Sequence, residues 1–143
     1  MADEVREVVK GDGYALGNIE GIGEGYGFRK IRSALDVTAF GINAIVIPAG
    51  YETGAHSHER QEETYFVHRG QIELRIGDGS RHRLGPGGIA RVAPATVRWV
   101  KNVGDEDAVF LAIGGKDGYV GRDGVFHGER GAAAEAAGHP PGA

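Results

Sequence analysis

Several common features are absent from this 143-residue chain, and each absence excludes a class of protein. It has no cysteine, which excludes disulfides, thiolate nucleophiles and cysteine-ligated zinc or iron–sulfur sites. Basic residues are not in excess, with 16 against 20 acidic ones, so we expect no nucleic-acid partner. The longest apolar runs, 44–48 and 108–113, are too short to span a bilayer. The acidic residues 1–7 do not resemble a signal peptide, so we expect a cytoplasmic protein with no membrane partner.

Glycine is abundant, with 26 residues. That is about 18% of the chain against a usual value of about 7%. The glycines separate short apolar runs, a pattern typical of short strands joined by tight turns. At least eight candidate strands lie between residues 28 and 113, and the run 39–47 is apolar at both parities, so both of its faces should be covered. We therefore predict an all-β sandwich, barrel or jelly roll.

The composition and the hydrophobic pattern of the chain change on either side of this strand-rich region. Residues 1–27 are rich in glycine and lack a clear period, so we expect an irregular N-terminal extension. Residues 114–143 contain turn signals and then an alanine-rich stretch, so we expect a C-terminal loop and tail. The predicted barrel occupies residues 28–113.

The densest group of chemically useful side chains lies between residues 50 and 63. His56 and His58 are two apart, so on an extended segment both imidazoles point to one face. Glu63 follows a short turn and begins the next predicted strand, with Tyr65 on the same face. Two histidines and a carboxylate from adjacent strands form the facial arrangement that binds iron(II), and also manganese, nickel or zinc. The two alternatives are that the histidines are ordinary loop residues, or that the neighbouring Glu62 is the ligand.

These residues carry a resemblance to a known family. Their spacing is G-x5-H-x-H-x4-E-x6-G, formed here by Gly50, His56, His58, Glu63 and Gly70, and it resembles the first motif of the cupins. The distance to Gly70 favours Glu63 over Glu62 as the ligand. The resemblance implies a double-stranded β-helix, a form of jelly roll, and a metal site inside it.

The second cupin motif is degraded in this chain. It begins at Gly87 and ends at Asn102, and its histidine, the family's fourth metal ligand, falls on Arg98. Arginine does not lose its proton and does not bind a metal. Two hypotheses follow. Either three residues bind a metal and Arg98 binds an anionic ligand beside it, or the metal site has been lost and Arg98 binds the anion directly.

The resemblance implies a function as well as a fold. We expect a metal-binding cupin that binds or transforms a small anionic organic molecule, with a divalent Fe, Mn, Ni or Zn ion on His56, His58 and Glu63. If it is an enzyme, it is a metal-dependent dioxygenase or isomerase, with Arg98 and Tyr65 as the candidate catalytic and substrate-binding residues. The alternative is a non-catalytic sensing module, metal-bound or metal-free. Outward-facing Trp99 and Phe66 indicate a covered surface, and cupins commonly pair through their sheets, so we expect a homodimer.

Overall fold

The computed structural model describes residues 2–128 of the chain. Almost all regular structure in this range is β-strand, and the one α-helix, α1, covers only Ile31–Leu35. The strands are β1 (Val9–Gly11), β2 (Tyr14–Leu16), β3 (Gly27–Arg29), β4 (Gly41–Ile47), β5 (His56–His58), β6 (Glu62–Arg69), β7 (Ile72–Ile76), β8 (Arg81–Leu84), β9 (Ile89–Val92), β10 (Arg98–Asn102), β11 (Ala108–Gly115) and β12 (Gly124–Phe126).

Ten of these strands form two antiparallel five-stranded sheets. We call the sheet with strand order β12-β5-β10-β7-β8 sheet 1, and the sheet with order β3-β4-β11-β6-β9 sheet 2. The chain passes repeatedly between the two sheets, as in a jelly roll, because neighbours within each sheet are mostly distant in sequence. The predicted all-β double-stranded β-helix is confirmed.

The main core fills the space between the sheets. Sheet 2 contributes Tyr65, Val67 and Phe110, and sheet 1 contributes Ile72 and Leu74. Along β6 every second side chain is buried, as the period of two along a strand requires.

A second cluster covers the outer face of sheet 2. Ile22 from the N-terminal segment and Ile31 from α1 pack there against Val46 and Val109. Strand β4 is thus covered on both faces, which explains why its sequence is apolar at both parities.

The N-terminal segment has more structure than the irregular extension that we predicted. Strands β1 and β2 form a hairpin around Asp12-Gly13, where Gly13 has a φ of +84°. Beyond the hairpin, the buried guanidinium of Arg29 donates to the carbonyls of Ile19, Ile22, Gly23 and Gly25. These hydrogen bonds fix the glycine-rich loop against sheet 2.

The C-terminal segment also differs from its prediction as loop and tail. Residues Gly124–Phe126 form β12, which pairs with β5 and becomes the edge of sheet 1. The sheet therefore extends beyond residue 113. The alanine-rich tail that we predicted lies outside the described residues. Within 2–128, no helix has the length and apolar character needed to cross a membrane.

Candidate metal centre

The candidate ligands come from the two facing sheets. His56 and His58 lie on β5 of sheet 1, whereas Glu63 lies at the start of β6 in sheet 2. All three side chains are buried, and one ligand atom from each lies within 4.8 Å of the others. The sequence predicted adjacent strands, and the structure instead brings the residues together across the gap between the sheets.

Each histidine is fixed by a hydrogen bond at Nδ1. The Nδ1–H of His56 donates to the carbonyl oxygen of Gly54 at 3.2 Å, and that of His58 donates to Oδ1 of Asp123 at 2.7 Å. A carbonyl or an ionised carboxylate only accepts hydrogen bonds, so the proton of each neutral ring is on Nδ1. Each Nε2 therefore presents a lone pair to the interior, the orientation that a metal-binding histidine requires.

Asp123 organises the site from behind His58, and sequence reasoning missed it. Its carboxylate also accepts from the backbone N–H of Arg60 and from the backbone and side chain of Gln61. Burial alone would raise the pKa of Asp123, but these hydrogen bonds and the one from His58 lower it below its usual value. Asp123 is therefore ionised at neutral pH and holds both the ring of His58 and the turn before β6.

Three buried atoms at the centre have no hydrogen-bond partner among residues 2–128: Nε2 of His56, Nε2 of His58 and Oε2 of Glu63. Burial is the main cause that lowers the pKa of His56, which keeps this imidazole neutral near pH 7. Three acceptors facing one another without a donor are costly, at about 1–3 kcal/mol for each unsatisfied group. A divalent cation fits this donor set, because imidazole nitrogen and carboxylate oxygen are ordinary ligands for first-row metals.

Arg98 lies beside this cluster and is completely buried. Strand β10 pairs with β5 so that Arg98 is opposite His56, and the two side chains share the inner face of sheet 1. Its Nη2 donates to Oε1 of Glu63 at 2.5 Å, and its Nη1 donates to backbone carbonyls, of which that of Thr96 at 2.9 Å is the nearest. The inward position agrees with the sequence motif, but the guanidinium is engaged with the protein's own carboxylate.

The carboxylate of Glu63 is held from two sides. Arg98 donates to its Oε1, and so does the hydroxyl of Tyr65 at 2.7 Å. Burial alone would raise the pKa of Glu63, but the buried guanidinium of Arg98, paired with its Oε1, holds it below its usual range. Burial, together with the nearby Glu63, raises the pKa of Tyr65, so its hydroxyl stays protonated and acts as a donor.

Comparison with known proteins agrees with this geometry. A family profile described as "Cupin domain" matches residues 44–114, which include all three candidate ligands and Arg98. The chain belongs to the cupin superfamily.

Solved structures support the same fold for this cupin. A cupin protein from Bacteroides fragilis is 28% identical, with a TM-score of 0.59 over 73% of this chain and 92% of that one. A putative sugar phosphate isomerase from Acidithiobacillus ferrooxidans is also 28% identical, with a TM-score of 0.56 over 61% of this chain and 56% of that one. The DMSP lyase DddQ from Ruegeria pomeroyi is 23% identical, with a TM-score of 0.52 over 61% of this chain. This cupin spans 42% of that lyase's length. No functionally curated protein matches the chain.

A cavity of about 340 Å³ opens beside the centre of this cupin. His56 and Tyr65 line it, and much of the remaining wall is apolar, including Val100 and Phe110. Among the described residues, Arg98 does not line the cavity. Its charge therefore reaches a ligand in the cavity only through the field it produces and not through a direct contact.

Residues on the outer faces of this cupin follow the predicted parity. His68 is exposed, and Trp99 and Phe66 are partly exposed on the faces opposite the core. The indole N–H of Trp99 donates to Glu52, which also accepts from Arg75. The homodimer and the cytoplasmic location stay predictions.

Proposed function

We propose that this cupin binds a divalent metal ion at His56, His58 and Glu63 and holds a small organic anion in the adjoining cavity. The observation that carries the proposal is the set of three buried, partnerless acceptor atoms, which no described donor satisfies. The hydrogen bonds at both Nδ1 atoms add to it, because they hold the rings with their lone pairs turned inward.

The charge around the centre supports an anion as the ligand. Glu63 and Asp123 are ionised, and only one of their two negative charges is balanced by Arg98. A divalent ion would therefore leave the buried site with about one net positive charge. An anionic ligand would balance that charge in an environment where an unpaired charge is costly.

The bound ion, Arg98 and Tyr65 would have different roles at this site. A bound divalent ion supplies Lewis acidity, which polarises an oxygen of the ligand. Arg98 and Tyr65 orient the carboxylate of Glu63 by donating to its Oε1. The other oxygen, Oε2, has no hydrogen-bond partner among the described residues and is free to bind the ion. The hydroxyl of Tyr65 on the cavity wall has a single proton, so it can donate to the ligand only in place of Glu63. Metal-dependent dioxygenation and isomerisation remain the two candidate reactions.

The ion pair between Arg98 and Glu63 favours a second candidate, a metal-free binding or sensing module. In this case the guanidinium, with Nη2 at 2.5 Å from Oε1, supplies the positive charge that the buried carboxylate requires. The same cavity would then hold its ligand without catalysis.

Elemental analysis of the purified, untagged protein separates the two candidates. We expect close to one equivalent of Fe, Mn, Ni or Zn in the wild type, and a large loss in His56→Gln. The matched control is His68→Gln, which changes an exposed histidine on β6 and should retain the metal. No metal in the wild type after reconstitution with each of these ions would refute the metal site and support the metal-free module.

A further inference from the structure

The wall of the cavity is unusually rich in aromatic side chains. Three of the protein's five tyrosines and three of its five phenylalanines line it: Tyr26, Tyr51, Tyr65, Phe28, Phe110 and Phe126. They come from both sheets and from the loops between them, so no single strand accounts for the concentration. An aromatic wall of this kind favours a flat, apolar ligand, because aromatic rings prefer edge-to-face or offset-stacked contacts.

The exposure of these aromatic side chains increases from the inner end of the cavity to its opening. Phe110 and Tyr65 are 1% and 4% exposed and form the inner end, where His56 also lies. Tyr51 and Tyr26 are 43% and 62% exposed and form the opening. A ligand that enters past these two tyrosines therefore meets aromatic rings first and the candidate metal centre last.

The polar side chains that the described residues give to the wall are few: three tyrosines, Thr53 and His56. Among residues 2–128, no lysine, arginine, asparagine or glutamine lines the cavity. A sugar phosphate needs several such donors for its phosphate and hydroxyl groups, and burying them unsatisfied is costly. The wall therefore opposes a sugar phosphate, although one of the similar structures is described as a putative isomerase of such compounds.

We propose that the ligand is a small aromatic carboxylate, with its single ring against the aromatic wall and its carboxylate directed towards the candidate metal centre. This inference rests on the proposed function for the destination of the carboxylate. The volume limits the size, because about 340 Å³ is at the lower end of ligand pockets, which span roughly 300–1,000 Å³. Tyr65 and Phe110 already meet edge to face, with centroids 5.9 Å apart and planes at 81°, and provide a ready site for a third ring.

The test is isothermal titration of zinc-reconstituted and metal-free protein with three probes: benzoate, cyclohexanecarboxylate and glucose 6-phosphate. Benzoate and cyclohexanecarboxylate have nearly the same size and charge, so their difference isolates the aromatic contact. We expect benzoate to bind about 2–10-fold more tightly, as one aromatic pair predicts. Glucose 6-phosphate should not bind in the same concentration range.

Two phenylalanine variants locate the binding. Phe126→Leu changes the wall and should weaken benzoate binding several-fold, whereas Phe40→Leu changes an exposed ring outside the cavity and should not. If Phe126→Leu fails to fold, Tyr51→Leu at the opening replaces it. The inference is overturned if benzoate does not bind, or if cyclohexanecarboxylate binds as tightly as benzoate does. It is also overturned if glucose 6-phosphate binds more tightly than benzoate, or if Phe126→Leu does not weaken benzoate binding.

The zinc content of the same samples is measured separately and reports on the proposed function. Zinc-loaded protein that does not bind benzoate would refute the aromatic-ligand inference but not the metal site. Protein that fails to take up zinc on reconstitution but still selects benzoate through Phe126 would refute the metal site and support the aromatic ligand.

Discussion

Replacing Arg98 should tighten metal binding, and the structure gives the size of the effect. Nη2 of Arg98 lies 2.5 Å from Oε1 of Glu63, so an ion bound through the other oxygen would be about 5 Å from the guanidinium. Arg98 attracts Glu63 whether or not the ion is bound, so the interaction that changes on binding is the repulsion between Arg98 and the two charges of the ion. At an effective dielectric constant of about 20, this repulsion is about 6–7 kcal/mol. It corresponds to about five decades in the metal Kd before any compensating anion binds.

Two substitutions separate the charge from the ligand. Arg98→Met removes the charge without adding a donor, and we expect zinc to bind at least about 100-fold more tightly. Arg98→His also places an imidazole at the position of the family's fourth ligand, so its affinity should exceed that of Arg98→Met. The assay is competition with a chromophoric zinc chelator. Both variants should be less stable without metal, because breaking a buried pair typically costs about 3–5 kcal/mol.

The matched control for these variants is Arg29→Met. Arg29 is also buried and bonded to backbone carbonyls, but it ends β3 and donates to the N-terminal loop rather than to a candidate ligand. Its replacement should lower stability without changing the zinc affinity. The electrostatic argument is refuted if Arg98→Met and Arg98→His bind zinc no more tightly than the wild type, or if Arg29→Met tightens binding equally.

Three further predictions follow from the contacts described above. Asp123→Asn removes the charged acceptor behind His58 and should weaken zinc binding about 10–100-fold in the same competition assay; unchanged affinity would contradict its role. The depressed pKa of Glu63 means that its ion pair stabilises the fold above the pKa of a free glutamate and is lost as the pH falls. Urea unfolding of metal-free protein should therefore show stability falling below about pH 5, and the double variant Glu63→Gln/Arg98→Met should show a smaller fall, because Asp123 still contributes to it. Gly70→Ala should cost more than Gly79→Ala in the same unfolding assay: both have positive φ, but only at Gly70 would a Cβ meet backbone atoms at 2.8 Å. Equal losses would show that the close approach is unimportant.

The core of the fold and the candidate ligands were predictable because the signals are local. The alternation along residues 62–69 gives the inner face of β6, and the structure places Glu63 and Tyr65 on it. The pair His56 and His58 likewise needs only an extended backbone to point both rings in one direction. Family spacing then placed Arg98 on the same inner face, and the structure buries it there.

The contributions of Asp123 and β12 could not be predicted in the same way. Strand β12 is three residues long, too short to show a period, and its residues pair with β5 residues that lie 66 to 70 positions earlier. The Asp-Gly pair at 123–124 has the composition of a turn, so its sequence gives no sign of a carboxylate that orients His58. The N-terminal hairpin did carry a signal, since Asp12-Gly13 is a typical hairpin turn, but its strands are too short and exposed to give a hydrophobic pattern.

The most direct test of the metal centre is diffraction from metal-reconstituted crystals at the absorption edge of the bound metal. The proposal predicts one strong anomalous peak between the two sheets, about 2.0–2.2 Å from Nε2 of His56, Nε2 of His58 and a carboxylate oxygen of Glu63. A peak only at an exposed histidine such as His68 or His82, or no peak while Arg98 remains paired with Glu63, would contradict it.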